Sequence, residues 1–224
     1  MRPKVKICGV TTPADARRAV ALGADYLGLN FYEKSPRFVG AERAQEIADA
    51  VAGSVDLVGV FVDAPLELMQ RLRAALDLRW VQLHGNEPPE VAEALGDGVI
   101  KALRVAGPLV EPEIAPWSVA GALLFDTPPQ ETGEELYGGT GRSWSYGDVV
   151  PQLAGGQRIF IAGGIRPGNV AEVAASLPGV HAIDVCSGVE SEPGIKSESL
   201  MIELFKRLES ADSKRPEGAR AQAR

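Results

Sequence analysis

The stretch "KVKICGVTTPADARRAVALG", residues 4–23, holds one full copy of the pattern that organises the chain. A short apolar run stops at Cys8, and Thr12-Pro13-Ala14-Asp15 then forms a capping box with proline at the first helical position. Gly23 closes the helix this predicts. Strand, turn and capped helix in that order make a βα unit. Further runs of the same kind follow: "DYLGLNF" at 25, "DLVGVFV" at 56, "WVQLH" at 80, "VIKALRV" at 99, "GALLFD" at 121, "RIFIAG" at 158 and "VHAIDV" at 180. Most are nearly continuous in apolar character, as parallel strands covered on both faces are. Eight such runs, spaced about 20–35 residues apart and separated by helical patterns, predict a single-domain α/β fold, the (β/α)₈ TIM barrel. A doubly wound open sheet competes with it, but more often has about five to seven strands.

The barrel is expected over residues 1–210. Its last helix carries a stripe of Leu200, Leu204 and Leu208, flanked by Met201 and Phe205, behind a Ser197 cap. Segment 105–120 is the weakest helix, because Pro108, Pro112 and Pro116 limit it to a turn or two. Residues 127–142, rich in glycine with two prolines, read as a mobile active-site cover. Residues 211–224 lack any large apolar side chain and read as a disordered tail.

Composition narrows the function. Of 224 residues, 45% are hydrophobic and 24% charged, enough to bury a substantial core. The formal charge of −7 argues against a nucleic-acid binder, which would carry a basic patch. Lys214, Arg215, Arg220 and Arg224 outweigh Asp212 and Glu217 in the tail, so the barrel is more acidic still. Two widely separated cysteines, Cys8 and Cys186, make neither a disulfide scaffold nor a close-spaced zinc motif, which suits a reducing cytoplasm. No signal peptide or apolar run of membrane-spanning length is read, so no membrane association is expected.

A parallel barrel concentrates its chemistry at the C-terminal ends of its strands. There the chain places Cys8 after strand one, "SPR" (Ser35 to Arg37) after strand two, His84 after strand four and Asp126 after strand six. "AGG" (Ala162 to Gly164) follows strand seven, and "CSGVE" (Cys186 to Glu190) follows strand eight. Glycines after strands seven and eight expose backbone N–H groups where barrels bind phosphate, so an acidic protein can hold a dianion locally. Each residue also has an ordinary reading. Cys8 can be a small buried hydrophobe, Asp126 a loop cap, Arg37 a surface residue, His84 a group that hydrogen-bonds the rim, and each Gly-Gly a turn. His181, at the opposite end of its strand, cannot share a metal site with His84.

Taken in order, "KICG", "FYEKSPR", "GVF", "QLHG", "FD", "GGTG", "AGGI" and "DVCSGVE" resemble the phosphoribosylanthranilate isomerase family of tryptophan biosynthesis, over residues 4 to about 208. The resemblance implies an isomerase that carries out an Amadori rearrangement of a phosphorylated small molecule without metal or organic cofactor. It implies Cys8 as general base, Asp126 as general acid and Arg37 facing the anthranilate carboxylate. Gly163, Gly164, Ser187 and Gly188 match the phosphate-binding stretches, and His84 is a further candidate for substrate contact.

The chemistry fits those residue types. An acid must protonate the ribosyl ring oxygen so that the closed ribosylamine opens to a protonated imine. A base must then remove the C2′ proton, and the iminium serves as electron sink in place of a cofactor.

Where the family commonly has two serines, this chain has Cys186-Ser187. Cys186 is expected to stand in for serine with its side chain turned away from Cys8. Were the thiols to face each other, Cys8 would oxidise first and Cys186 would resolve it. Two other functions remain open on sequence. One is the related histidine-biosynthesis isomerase, which resembles a two-aspartate machine and is disfavoured by the thiol at position 8. The other is a non-catalytic phosphometabolite-binding barrel.

Overall fold

A computed structural model describes residues 2–105, 114–126 and 157–213. Eight parallel strands close into a barrel in sequence order. They are β1 (Lys4–Cys8), β2 (Tyr26–Asn30), β3 (Asp56–Phe61), β4 (Trp80–Leu83), β5 (Val99–Arg104), β6 (Ala122–Asp126), β7 (Arg158–Ile161) and β8 (Ala182–Val185). Every run read as a strand is one. Helices α1 (Pro13–Ala21), α2 (Ala41–Ala50), α3 (Leu66–Ala75), α4 (Pro89–Leu95), α5 (Val170–Ser176) and α6 (Glu198–Ser213) accompany them. Between β5 and β6 the described residues include a 3₁₀ turn, Ala115–Trp117. The loop expected to cover the site and residues 214–224 of the expected tail lie outside the described residues.

Local chemistry starts the helices as the sequence indicates. Thr12 accepts a hydrogen bond from the Asp15 backbone N–H at 3.1 Å and caps α1. Ser197 accepts one from the Leu200 N–H at 3.4 Å at the start of α6, whose Met201, Leu204, Phe205 and Leu208 are buried.

Strand alternation divides the core in two. Odd-numbered β1 residues such as Val5 and Ile7 pack outward, against helices, in one apolar layer. Even-numbered residues from seven strands, among them Tyr26, Val58, Trp80, Ile100, Leu124, Phe160 and Ala182, form a second cluster inside the barrel. The inward column is apolar toward the strand N-termini and turns polar toward the C-termini. On β1 and β8 it continues through the register pair Lys6 and Asp184 to Cys8 and Cys186. At the opposite end, His181 Nε2 meets the Tyr26 hydroxyl at 2.8 Å. Burial and the nearby Arg158 and Lys4 lower the His181 pKa to about 4, so this histidine is a neutral structural group.

Candidate active site

At the C-terminal mouth of the barrel an open cavity is bordered by Cys8, Arg37, His84, Asp126, Gly163, Gly164 and Ser187. Seven of the eight site residues expected from sequence therefore share one space. Gly188 stands behind it. A Cβ at Gly188 would lie 1.9 Å from the Ile165 carbonyl oxygen, so its missing side chain is what lets the strand-seven and strand-eight loops pack together. Among the described residues, the backbone N–H groups of Gly164 and Ser187 have no hydrogen-bond acceptor. Both border the cavity, which is the arrangement that a phosphate oxygen fills.

Cys8 ends β1 against Gly28 of β2, its register partner. A Cβ at Gly28 would come within 2.8 Å of the Cys8 sulfur, so the thiol occupies space that only glycine leaves. On the other side stands Cys186. Its side chain lines the same cavity as Cys8, close enough for the two thiols to shift each other's titration, instead of turning away. Strand alternation explains this. Cys186 is in phase with inward-facing Asp184, as Cys8 is with Lys6, and those two are bonded at 2.9 Å.

Three cations surround the thiols. Lys6 is fully buried and paired to Asp184. Lys196 places Nζ 2.7 Å from Glu190 Oε1, 3.2 Å from the Cys186 carbonyl oxygen and 4.0 Å from Cys186 Sγ. Arg37 binds Glu190 through Nε at 2.9 Å and Nη2 at 2.7 Å. Asp184 and Glu190 are the carboxylates paired to these cations.

The titration behaviour agrees. Hydrogen bonding to Cys186, followed by burial, pushes the Cys8 thiol well above its usual range. The hydrogen bond from Cys8, aided by Lys196 and Arg37 against the cost of burial, brings Cys186 down to about 7. Burial opposes the charge on Glu190, but Arg37 and Lys196 outweigh it and hold the carboxyl below its usual range. Burial also lifts Asp184 to about 7 against the pull of Lys6.

Across the cavity, His84 Nε2 lies 3.5 Å from Asp126 Oδ2. Gln82 Nε2 donates to His84 Nδ1 at 2.7 Å, which leaves the imidazole proton on Nε2 to face the carboxylate. The His84 loop is fixed by a buried ion pair, Lys101 to Glu87 at 2.8 Å, with Lys101 also donating to the Gly85 carbonyl. Ser35 orders the loop that carries Arg37, accepting from the Arg37 N–H at 3.1 Å and from Asn30 at 3.1 Å.

Sequence reading missed Glu190 as the partner of Arg37 and Lys196 as the second cation on that carboxylate. Both lie in or beside the quoted "DVCSGVE", and a buried arginine needs a buried carboxylate. It also missed Lys6, whose even-numbered position in an apolar strand already marks it as inward-facing.

A sequence model described as N-(5′-phosphoribosyl)anthranilate (PRA) isomerase matches residues 5–207. The chain belongs to this family. The N-(5′-phosphoribosyl)anthranilate isomerase of Myxococcus xanthus is 45% identical over 202 residues, covering 88% of this chain and 91% of the relative. The crystal structure of phosphoribosyl anthranilate isomerase from Thermus thermophilus superposes with a TM-score of 0.80 at 42% identity, covering 92% of this chain and 98% of that one. A further isomerase of this family, solved in complex with reduced 1-(o-carboxyphenylamino)-1-deoxyribulose 5-phosphate, gives a TM-score of 0.79 at 30% identity, covering 93% and 99%. Membership in the phosphoribosylanthranilate isomerase family makes the chain an enzyme, an isomerase of tryptophan biosynthesis. No helix among the described residues is long and apolar enough to cross a membrane.

Proposed function

We propose that this cavity converts N-(5′-phosphoribosyl)anthranilate to 1-(2-carboxyphenylamino)-1-deoxy-D-ribulose 5-phosphate, with Asp126 as general acid and Cys8 as general base. The observation that carries the reading is the placement of a carboxyl and a thiol on the walls of one cavity that also presents two open backbone amides. The substrate has matching parts: a phosphate for Gly163, Gly164 and Ser187, and an aryl carboxylate for Arg37. Glu190 occupies the Nε–Nη2 edge of Arg37, so the substrate carboxylate takes the Nη1–Nη2 edge of a guanidinium already held in plane.

Asp126, oriented by His84, gives its proton to the ribosyl ring oxygen, and the C1′–O bond breaks as the anilino nitrogen's lone pair forms the protonated imine. Cys8, as thiolate, then takes the C2′ proton, and the electron pair moves into the iminium to give an enolamine. Protonation at C1′ and loss of the enol proton give the ketone. To act, Cys8 must give up its resting proton, and Cys186 is the neighbouring group placed to take it. Positioned acid and base groups contribute about 10²–10⁴-fold each. The reading includes a cytoplasmic setting, where both thiols stay reduced.

The test follows phosphoribosylanthranilate fluorescence on adding purified protein and identifies the product by mass spectrometry. Catalytic loss of fluorescence with formation of the ribulose phosphate supports the reading. Binding without turnover would make the barrel a phosphometabolite binder.

A further inference from the structure

We propose that Cys8 and Cys186 form a dithiol that a hydroperoxide entering the cavity converts to an intramolecular disulfide. Both sulfurs border the same cavity and are half-buried, so a small oxidant can reach them. Their residues end neighbouring parallel strands, with Ile7 and Val185 the last register pair before them. Adjacent strands lie about 4.8 Å apart, inside the roughly 4.4–6.8 Å between Cα atoms that a disulfide spans. Both side chains point to the barrel interior, two residues on from the facing register pair Lys6 and Asp184. An oxidisable pair goes beyond the proposed isomerase reaction.

The surroundings decide which sulfur reacts first. Lys196 and Arg37 approach from the Cys186 side, with Glu190 between them, while Lys6 lies beneath Cys8 and Asp184 beneath Cys186. Lys196 Nζ stands 4.0 Å from Cys186 Sγ and favours its thiolate, so in this proposal Cys186 is oxidised and Cys8 resolves.

In the first step the Cys186 sulfur attacks one peroxide oxygen and the O–O bond breaks. The sulfur is oxidised to sulfenic acid while the departing oxygen leaves as hydroxide and takes a proton from solvent. In the second, the Cys8 sulfur attacks the sulfenic sulfur, the S–O bond breaks, and the hydroxyl leaves as water with the Cys8 proton. Two thiols and one hydrogen peroxide give one disulfide and two waters. An external dithiol reverses the change by exchange.

The experiment treats full-length wild type and Cys186→Ser with hydrogen peroxide, quenches with catalase, and reads intact mass, disulfide-linked peptides and activity before and after dithiothreitol. Wild type should become about 2 Da lighter with a single Cys8–Cys186 peptide, and dithiothreitol should restore its mass. Cys186→Ser should show no such loss, and oxidation of its Cys8 should add oxygen in multiples of about 16 Da. A Cys8→Ser variant should trap sulfenic acid on Cys186, detected with a 1,3-dione probe. Wild type that gains oxygen without the crosslink, or links only between chains, would overturn the proposal. Mass is read independently of turnover, so the two readings fail separately. Crosslinked protein with full activity upholds the dithiol and removes Cys8 as base.

Discussion

Replacing Gly28 by alanine tests whether the position of the Cys8 sulfur, and not merely its presence, governs turnover. The new Cβ would stand 2.8 Å from Cys8 Sγ and 3.1 Å from Cys8 Cα. Ordinary contacts of this kind are about 3.5–4.0 Å, so the sulfur or the strand must yield by close to 1 Å. The thiol can rotate away, but the Cα belongs to a hydrogen-bonded barrel strand and cannot. Overpacking of this kind costs about 1–3 kcal/mol, and misplacement of a reacting group by about 1 Å costs on the order of 10²-fold in rate. We therefore expect a folded, less stable protein whose kcat falls about 10²-fold while KM changes little. Fluorescence-monitored steady-state kinetics and thermal unfolding, run on the same preparation, read the two effects. A destabilised variant with unchanged kcat would refute the argument that Cys8 must sit where Gly28 leaves room for it.

Arg37→Lys should raise KM at least about 10-fold with a smaller change in kcat, since a lysine cannot hold Glu190 and a planar carboxylate together; an unchanged KM removes Arg37 from the site. His84→Asn should lower kcat about 10-fold with KM retained, because Asp126 loses the group that orients it; unchanged kinetics would leave His84 a bystander. The dithiol carries an acidic group titrating near 7, so its charged form is lost as pH falls through that value and gained as it rises. Alkylation by iodoacetamide should accelerate about fivefold from pH 6 to 7 and about twofold more by pH 8, where it levels off, with the midpoint moving up in Cys186→Ser. A wild-type midpoint near the ordinary thiol value would contradict the charge arrangement around Cys186.

The barrel was legible because its signals are local. A capping box, a glycine stop and apolar runs are read within single segments, and β1 through α1 follow them closely. The same locality located Cys8, His84 and Asp126, each at or just past a strand end. What escaped was pairing across the barrel. Lys6 meets Asp184 and Arg37 meets Glu190 over sequence separations of 178 and 153 residues, and nothing in a single segment reports such partners. Cys186 is the instructive case. Its likeness to a serine suggested a passive role, whereas counting by twos from Asp184 points its side chain into the barrel beside Cys8. Gly188 adds a packing constraint that a glycine in a turn does not announce, since a Cβ there would lie 1.9 Å from the Ile165 carbonyl oxygen.

The central claim, that Asp126 and Cys8 carry the two proton transfers, is tested most directly by kcat at saturating substrate in Asp126→Asn and Cys8→Ser, alongside binding of a reduced product analogue. Each substitution keeps the shape of the side chain and removes its proton-transfer capacity. The account predicts that kcat falls at least about 10²-fold in both variants while the analogue binds nearly as it does to wild type. Near-normal turnover in either variant, with analogue binding intact, would contradict it.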